Sequence, residues 1–96
     1  MQILFHGHAC FSIFTENNTH LLIDPFFSRN RLAQITADEI SPAVILLTHG
    51  HWDHIGDTVQ IAQRTGCLVI CVPEIVTYLK NKGIKNCHGM NIGGGY

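Results

Sequence analysis

The chain opens on short apolar runs. QILFHG and ACFSIFTE, each a few apolar residues bounded by polar ones, read as two strands. The segment ENNT between them and the next apolar run carries two asparagines, which tolerate left-handed backbone and bond their own main chain, so a turn is predicted. HLLIDP reads as a third strand, stopped by Pro25. Residues 26–41 show no clean period, and one or two helical turns are expected around RLAQITADEI. AVILLTH then gives a continuous apolar run from Ala43 to Leu47, the signature of a strand buried on both faces.

From there a helical period sets in. Ile55, Val59 and Ala62 fall on one helical face, widened by Ile61, with Asp53 as the expected N-cap and Gly66 as the stop. CLVICV is a further buried strand. Pro73 suits the first turn of a helix over PEIVTYLKNK, whose apolar face is Ile75, Val76 and Leu79 and which ends at Gly83. A last strand is expected near Ile84–Cys87, and glycines 93–95 read as a turn leading into another element. The order β-β-β followed by β-α-β-α-β predicts an α/β fold with helices layered over a sheet.

Composition changes this picture in one respect. Of 96 residues, 46% are hydrophobic and 14% charged, against the roughly 25% charged of an ordinary soluble domain. Such a chain has more apolar surface than it can easily hide alone. Cover is expected from the rest of a larger fold, from a partner chain or from a second copy. The net charge of −1 and the absence of a basic patch argue against nucleic acid. No apolar run is long enough to span a bilayer, and MQILFHGHACF lacks the features of a signal peptide, so a cytoplasmic location is expected. The four cysteines are then reduced thiols, and Cys67 and Cys71, on one face of a strand, read as small core residues.

The chemistry concentrates where the fourth strand ends, in LLTHGHWDHIGD. Three histidines and an aspartate, His49, His51, Asp53 and His54, occupy six residues. In an extended segment His49 and His51 leave on the same side and reach one ion, while Asp53 and His54, at the entry to the helix, face a second. The C-terminal end of a buried strand is also where open α/β sheets place their ligand crevices. An N-cap role accounts for Asp53 alone among the four.

Thr48-His49-Gly50-His51-Trp52-Asp53-His54 matches the T-H-x-H-x-D-H motif of the metallo-β-lactamase superfamily. With FHGHACF, LLIDPFF and HGMNIGG, the chain resembles one branch of it, the bacterial and archaeal metal-dependent hydrolases akin to the sugar-phosphate lactonases. The resemblance implies an αββα sandwich, of which residues 1–96 would be the N-terminal half, a single truncated domain. It implies that His49 and His51 hold one divalent metal and Asp53 and His54 a second. Zinc is the first expectation, with manganese or iron compatible with the same ligands. Asp53 would also position the nucleophile. Metal-bound hydroxide would attack an ester, lactone or phosphoester in a small-molecule substrate. Asp24 would support the site from behind; a plain turn aspartate before Pro25 fits it equally well. His8 would line the pocket mouth, or His6 and His8 are a polar pair at a strand end.

The family site also uses a later histidine, a bridging aspartate and a final histidine. After Asp57 this sequence has no aspartate, and its only later histidine is His88. Little or no hydrolysis is therefore expected of the 96 residues by themselves. The alternative reading is a non-catalytic metal-binding half-domain that needs a partner or the C-terminal half. A structural zinc site fits less well, because such sites usually draw on cysteine from separated hairpins.

Overall fold

A computed structural model describes all 96 residues. Six strands form one sheet in the order of the chain: β1 (Gln2–Gly7), β2 (Cys10–Phe14), β3 (His20–Ile23), β4 (Val44–Leu46), β5 (Leu68–Cys71) and β6 (Cys87–Gly89). The first three are antiparallel and joined by tight turns, and the remaining pairings are parallel. Parallel neighbours need crossovers. When strand order rises steadily and crossovers keep one hand, every crossover lies on the same side of the sheet. That side carries α1 (Trp52–Ile55) and α2 (Thr58–Thr65) between β4 and β5, and α3 (Pro73–Asn81) between β5 and β6.

The core sits under these helices. Cys10, Leu22, Ile45 and Val69 project from four adjacent strands into it and are fully buried. Ile61 and Ala62 of α2 and Ile75 and Leu79 of α3 close over them. The cysteines behave as small core side chains: Cys67 and Cys71 are buried, and burial pushes the Cys10 thiol up to about 12 and Cys71 to about 11. The opposite face is a different surface. Cross-strand pairing lines up Ile3, Ile13, Leu21, Val44 and Leu68 in one row and Phe5, Phe11, Ile23, Leu46 and Ile70 in the next. No element of the chain packs broadly over these rows; only the stretch 90–92 approaches Leu46 and Ile70.

Three expectations need correction. The helix after the histidine cluster is two helices, broken at Gly56 (φ 48°, ψ −120°). A Cβ at that position would lie 2.5 Å from the Pro25 carbonyl oxygen and 2.9 Å from the Phe26 Cα, so close approach of the 25–26 backbone requires glycine. Asp53 is not an N-cap: His51 and Asp57 occupy the cap positions of α1 and α2, and Asp53 lies in the first turn of α1. The one or two helical turns expected around residues 31–40 are one 3-10 turn, Ala37–Glu39, opened by Thr36 N–H donating to Glu39 Oε1 at 3.1 Å and followed at once by Ser41-Pro42, which disfavours a longer helix. The last strand starts at Cys87, because Ile84 instead folds back on α3, its N–H donating to the Leu79 carbonyl at 3.0 Å. The Gly66 stop (φ 70°, left-handed) and Pro73 at the start of α3 are as expected.

Candidate metal centre

The site is built where β3 and β4 end side by side. Ile23 pairs with Leu46, so the residues just beyond, Asp24 and the 47–51 segment, emerge together at one edge of the sheet. Asp24 adopts left-handed backbone (φ 45°), and its carboxylate is 1% exposed. That buried carboxylate accepts three hydrogen bonds: from the Thr48 N–H (2.8 Å), the Thr48 hydroxyl (2.6 Å) and His54 Nδ1 (2.8 Å). It thus staples the start of the histidine-rich loop to its end.

These bonds decide where the ring protons sit. An ionised carboxylate only accepts, so His54 carries its proton on Nδ1 and presents a bare Nε2. Thr48 has one hydroxyl proton and gives it to Asp24. Toward His49 Nδ1, 2.8 Å away, the Thr48 oxygen must accept, and His49 Nε2 is left bare. His49 Nε2 faces His51 Nδ1 at 3.1 Å, and His54 Nε2 faces Asp53 Oδ1 at 3.7 Å. The His49 and His54 rings are 4.0 Å apart between centroids. Ligand atoms of Asp24, His49 and His54 lie within 4.8 Å of one another, and so do those of His8, Asp53 and His54. Imidazole nitrogens freed of their protons, beside a carboxylate, fit a borderline divalent ion.

Asp53 is held from its far side. His8, in the β1–β2 turn, donates from Nε2 to Asp53 Oδ2 at 2.8 Å. Burial pushes the Asp53 carboxyl up, but the His8 hydrogen bond, its own backbone N–H and the nearby His54 and His8 outweigh this and hold it below the usual carboxylate range. The structure therefore brings together all six residues singled out in the sequence: His49, His51, Asp53 and His54, with Asp24 and His8 against two of them. His6 does not join them. It points under the sheet to Ser12, which also meets His20. His88 lies away from the cluster, its ring against Tyr96.

Two positions carried no sequence signal for the site. Thr48, read only as part of a motif, sets the His49 tautomer. Asp57 accepts from Phe27 N–H (2.8 Å), Ser28 N–H (3.0 Å) and the Ser28 hydroxyl, clamping the 25–28 turn onto α2. An aspartate shortly before a long apolar stripe hints at a cap, and nothing local points to partners 30 residues upstream. Beside the loop, a cavity of about 430 Å³ opens between α1 and α3, lined by Trp52, Ile75, Tyr78 and Glu74 among others.

One sheet with helices over one face, and three histidines and an aspartate at its edge, is the arrangement of one half of an αββα fold. Comparison with known proteins gives the same class. The model of the metallo-beta-lactamase superfamily matches residues 5–87, and the chain belongs to that superfamily. It is 51% identical over 96 residues to a UPF0173 metal-dependent hydrolase of Shouchella clausii, covering 100% of this chain and 42% of that protein. With the corresponding protein of Methanosarcina mazei it shares 44% over 94 residues, 98% of this chain and 40% of that one. Among solved structures it is similar to Igni18, a metallo hydrolase of the archaeon Ignicoccus hospitalis, with a TM-score of 0.83 and 32% identity over 96% of this chain and 40% of that chain. The chain thus spans about two fifths of the length of the curated relatives it matches. No helix is long and apolar enough to cross a membrane.

Proposed function

We propose that this chain carries the first half of a two-metal hydrolytic centre. His49 and His51 hold one ion, Asp53 and His54 the other, and zinc is the expected metal, with manganese or iron compatible with the same donors. Asp24 braces His54 and, through Thr48, His49. The observation that carries this reading is convergence: His49 Nε2 lies 3.1 Å from His51 Nδ1 and His54 Nε2 3.7 Å from Asp53 Oδ1, while the Nδ1 atoms of His49 and His54 are each held from behind, by Thr48 and Asp24.

When bound, such ions lower the pKa of a water to about 7 and polarise a carbonyl or phosphoryl oxygen. The chain's own contribution is placement. Asp53 orients the attacking water by accepting its hydrogen bond, and the β4 end fixes where the substrate's reacting centre must come. Esters, lactones and phosphoesters of small molecules are the substrate classes this chemistry serves. A second reading has its own support: no aspartate follows Asp57, so residues 1–96 offer no bridging carboxylate and would hold metal without efficient turnover.

The test is metal content together with hydrolysis of activated ester, lactone and phosphodiester substrates. With the protein as expressed from its gene, His51→Ala is expected to lower turnover at least 100-fold, as removal of a metal ligand should. Residues 1–96 alone are expected to bind zinc and turn over little. Robust turnover by those 96 residues, abolished by His51→Ala, would overturn the need for a further half.

A further inference from the structure

We propose that His8 is a positioning residue for Asp53, a brace that sets which carboxylate oxygen faces the ion; this rests on the reading of Asp53 and His54 as ligands. The geometry is specific. His8 Nε2 lies 2.8 Å from Asp53 Oδ2, a distance proper to an N–H donor on a carboxylate, while the other oxygen, Oδ1, is the one turned toward His54 Nε2 at 3.7 Å. With His8 on Oδ2, Oδ1 is the oxygen that Asp53 turns to the ion, and the remaining lone pairs of the carboxylate are left for water. A ring nitrogen that spends its proton on a carboxylate has no lone pair for the ion, so as placed His8 acts through Asp53 and does not ligate.

The fold goes to some length to put His8 there. Its backbone is left-handed (φ 59°), a conformation uncommon for a residue with a side chain, though histidine is among those enriched in it. The turn that carries it is fixed from below by Asn30, whose two Nδ2 protons are shared among the carbonyls of His6 (3.1 Å), Gly7 (3.1 Å) and Phe26 (2.9 Å). The His8 ring then sits edge-on to Phe26 at 5.2 Å and beside the His54 ring at 5.4 Å. Both donors of the second ion are thereby held from behind by a residue distant in sequence: His54 by Asp24 from the end of β3, and Asp53 by His8 from the β1–β2 turn. Groups that hydrogen-bond a ligand in this way typically change metal affinity by about 10–100-fold when removed.

The experiment is a cobalt(II) titration followed by visible absorption, in the protein as expressed from its gene. It is run in a His49→Ala/His51→Ala background, so that Asp53 and His54 hold the ion that is read. His8→Asn keeps a side chain that accepts left-handed backbone but does not reach Asp53; His8→Gly, free of backbone penalty, is its control. Both are expected to weaken cobalt binding about 10–100-fold with band positions unchanged. His8→Gln, whose amide reaches about as far as Nε2, is expected to restore most of the loss. Unchanged affinity in His8→Asn and His8→Gly would overturn the proposal. So would a shift of the bands with no rescue by glutamine, which would make His8 a ligand. Absence of any cobalt binding in the background itself would instead remove Asp53 and His54 as a ligand pair, a failure of the underlying reading that is visible before His8 is changed.

Discussion

The two faces of the sheet are written with the same alphabet and end in opposite conditions. Along β3 and β4, Leu22 and Ile45 turn under the helices and are fully buried, while their immediate neighbours Leu21, Ile23, Val44 and Leu46 turn the other way and stay partly open. On β1, at the sheet's edge, the contrast weakens: Ile3 is 57% and Phe5 59% exposed, and Leu4, on the helix side, 40%. Half-buried sheets normally alternate apolar with polar. Here both faces are apolar, which is the pattern of a sheet meant to be covered twice. One cover is present, in α2 and α3. The other face carries two apolar rows across five strands, the kind of surface that marks the place where another layer packs. An αββα sandwich supplies such a layer as its second sheet.

The largest expected effect tests that contrast directly. In residues 1–96, Ile45→Ala should lower unfolding free energy by about 2–5 kcal/mol, the cost of a cavity in a packed core. Val44→Ala, one residue away on the open face, should cost roughly 1 kcal/mol or less. Urea unfolding of the two variants measures the difference. Equal losses would mean that the open face is packed in solution, by a second copy of the chain. If the protein contains a further sheet, the Val44 cost should climb toward that of Ile45 in the longer chain, and the gap between the two becomes a measure of the missing layer.

The same contrast explains what was legible in the sequence. Short apolar runs bounded by turn residues announce strands, so the five strands ending at Cys71 could be read directly, as could the Gly66 and Pro73 signals. The cluster His49–His54 was legible because ligand types crowd into six residues. What escaped was whatever depends on partners far along the chain. The break at Gly56 is imposed by the Pro25–Phe26 backbone pressing against it, and no local pattern at 52–62 records that contact. Asp53 looked like a cap because an aspartate before an apolar stripe usually is one; its carboxylate is instead turned to His8, 45 residues earlier. Asp24 stood open between turn residue and support for the same reason, since its three donors come from Thr48 and His54.

Asp24 is where the covered face meets the metal loop, and a middle-sized effect is expected there. Asp24→Asn keeps a side chain that tolerates the left-handed backbone. It also points an amide at groups that are themselves donors, leaving one of them unpaired in a buried place at about 1–3 kcal/mol. The same change frees the His54 and His49 rings to turn, so zinc affinity should fall by about 10–100-fold. Denaturant unfolding of the metal-free protein and chelator competition read the two consequences separately. A stability loss with zinc affinity intact would return Asp24 to the role of a turn residue before Pro25.

The smallest effect lies at the edge of the covered face, where Ser12, 1% exposed, meets His6 Nε2 and His20 Nε2, each at 2.7 Å. The serine has one proton, so the neutral arrangement runs in a single direction: one ring donates to Ser12, and Ser12 donates to the other. A second charge does not fit. Burial lowers the pKa of His6, and burial together with the neighbouring His6 lowers that of His20, below the ordinary 6.5. In the unfolded chain both rings take up protons near 6.5, while in the folded chain they resist until lower pH. The unfolded state therefore binds more protons in that window, and stability is full above about 6.5 and declines as pH falls below it. His6→Phe and His20→Phe should each flatten this decline in the metal-free protein, measured as unfolding midpoint against pH between about 7 and 5. Because His49, His51 and His54 are unchanged in both variants, the difference from the parent curve belongs to the Ser12 cluster. An identical slope in parent and variants would mean that the open end of this face lets water reach both rings, and that only the four central strands are truly covered.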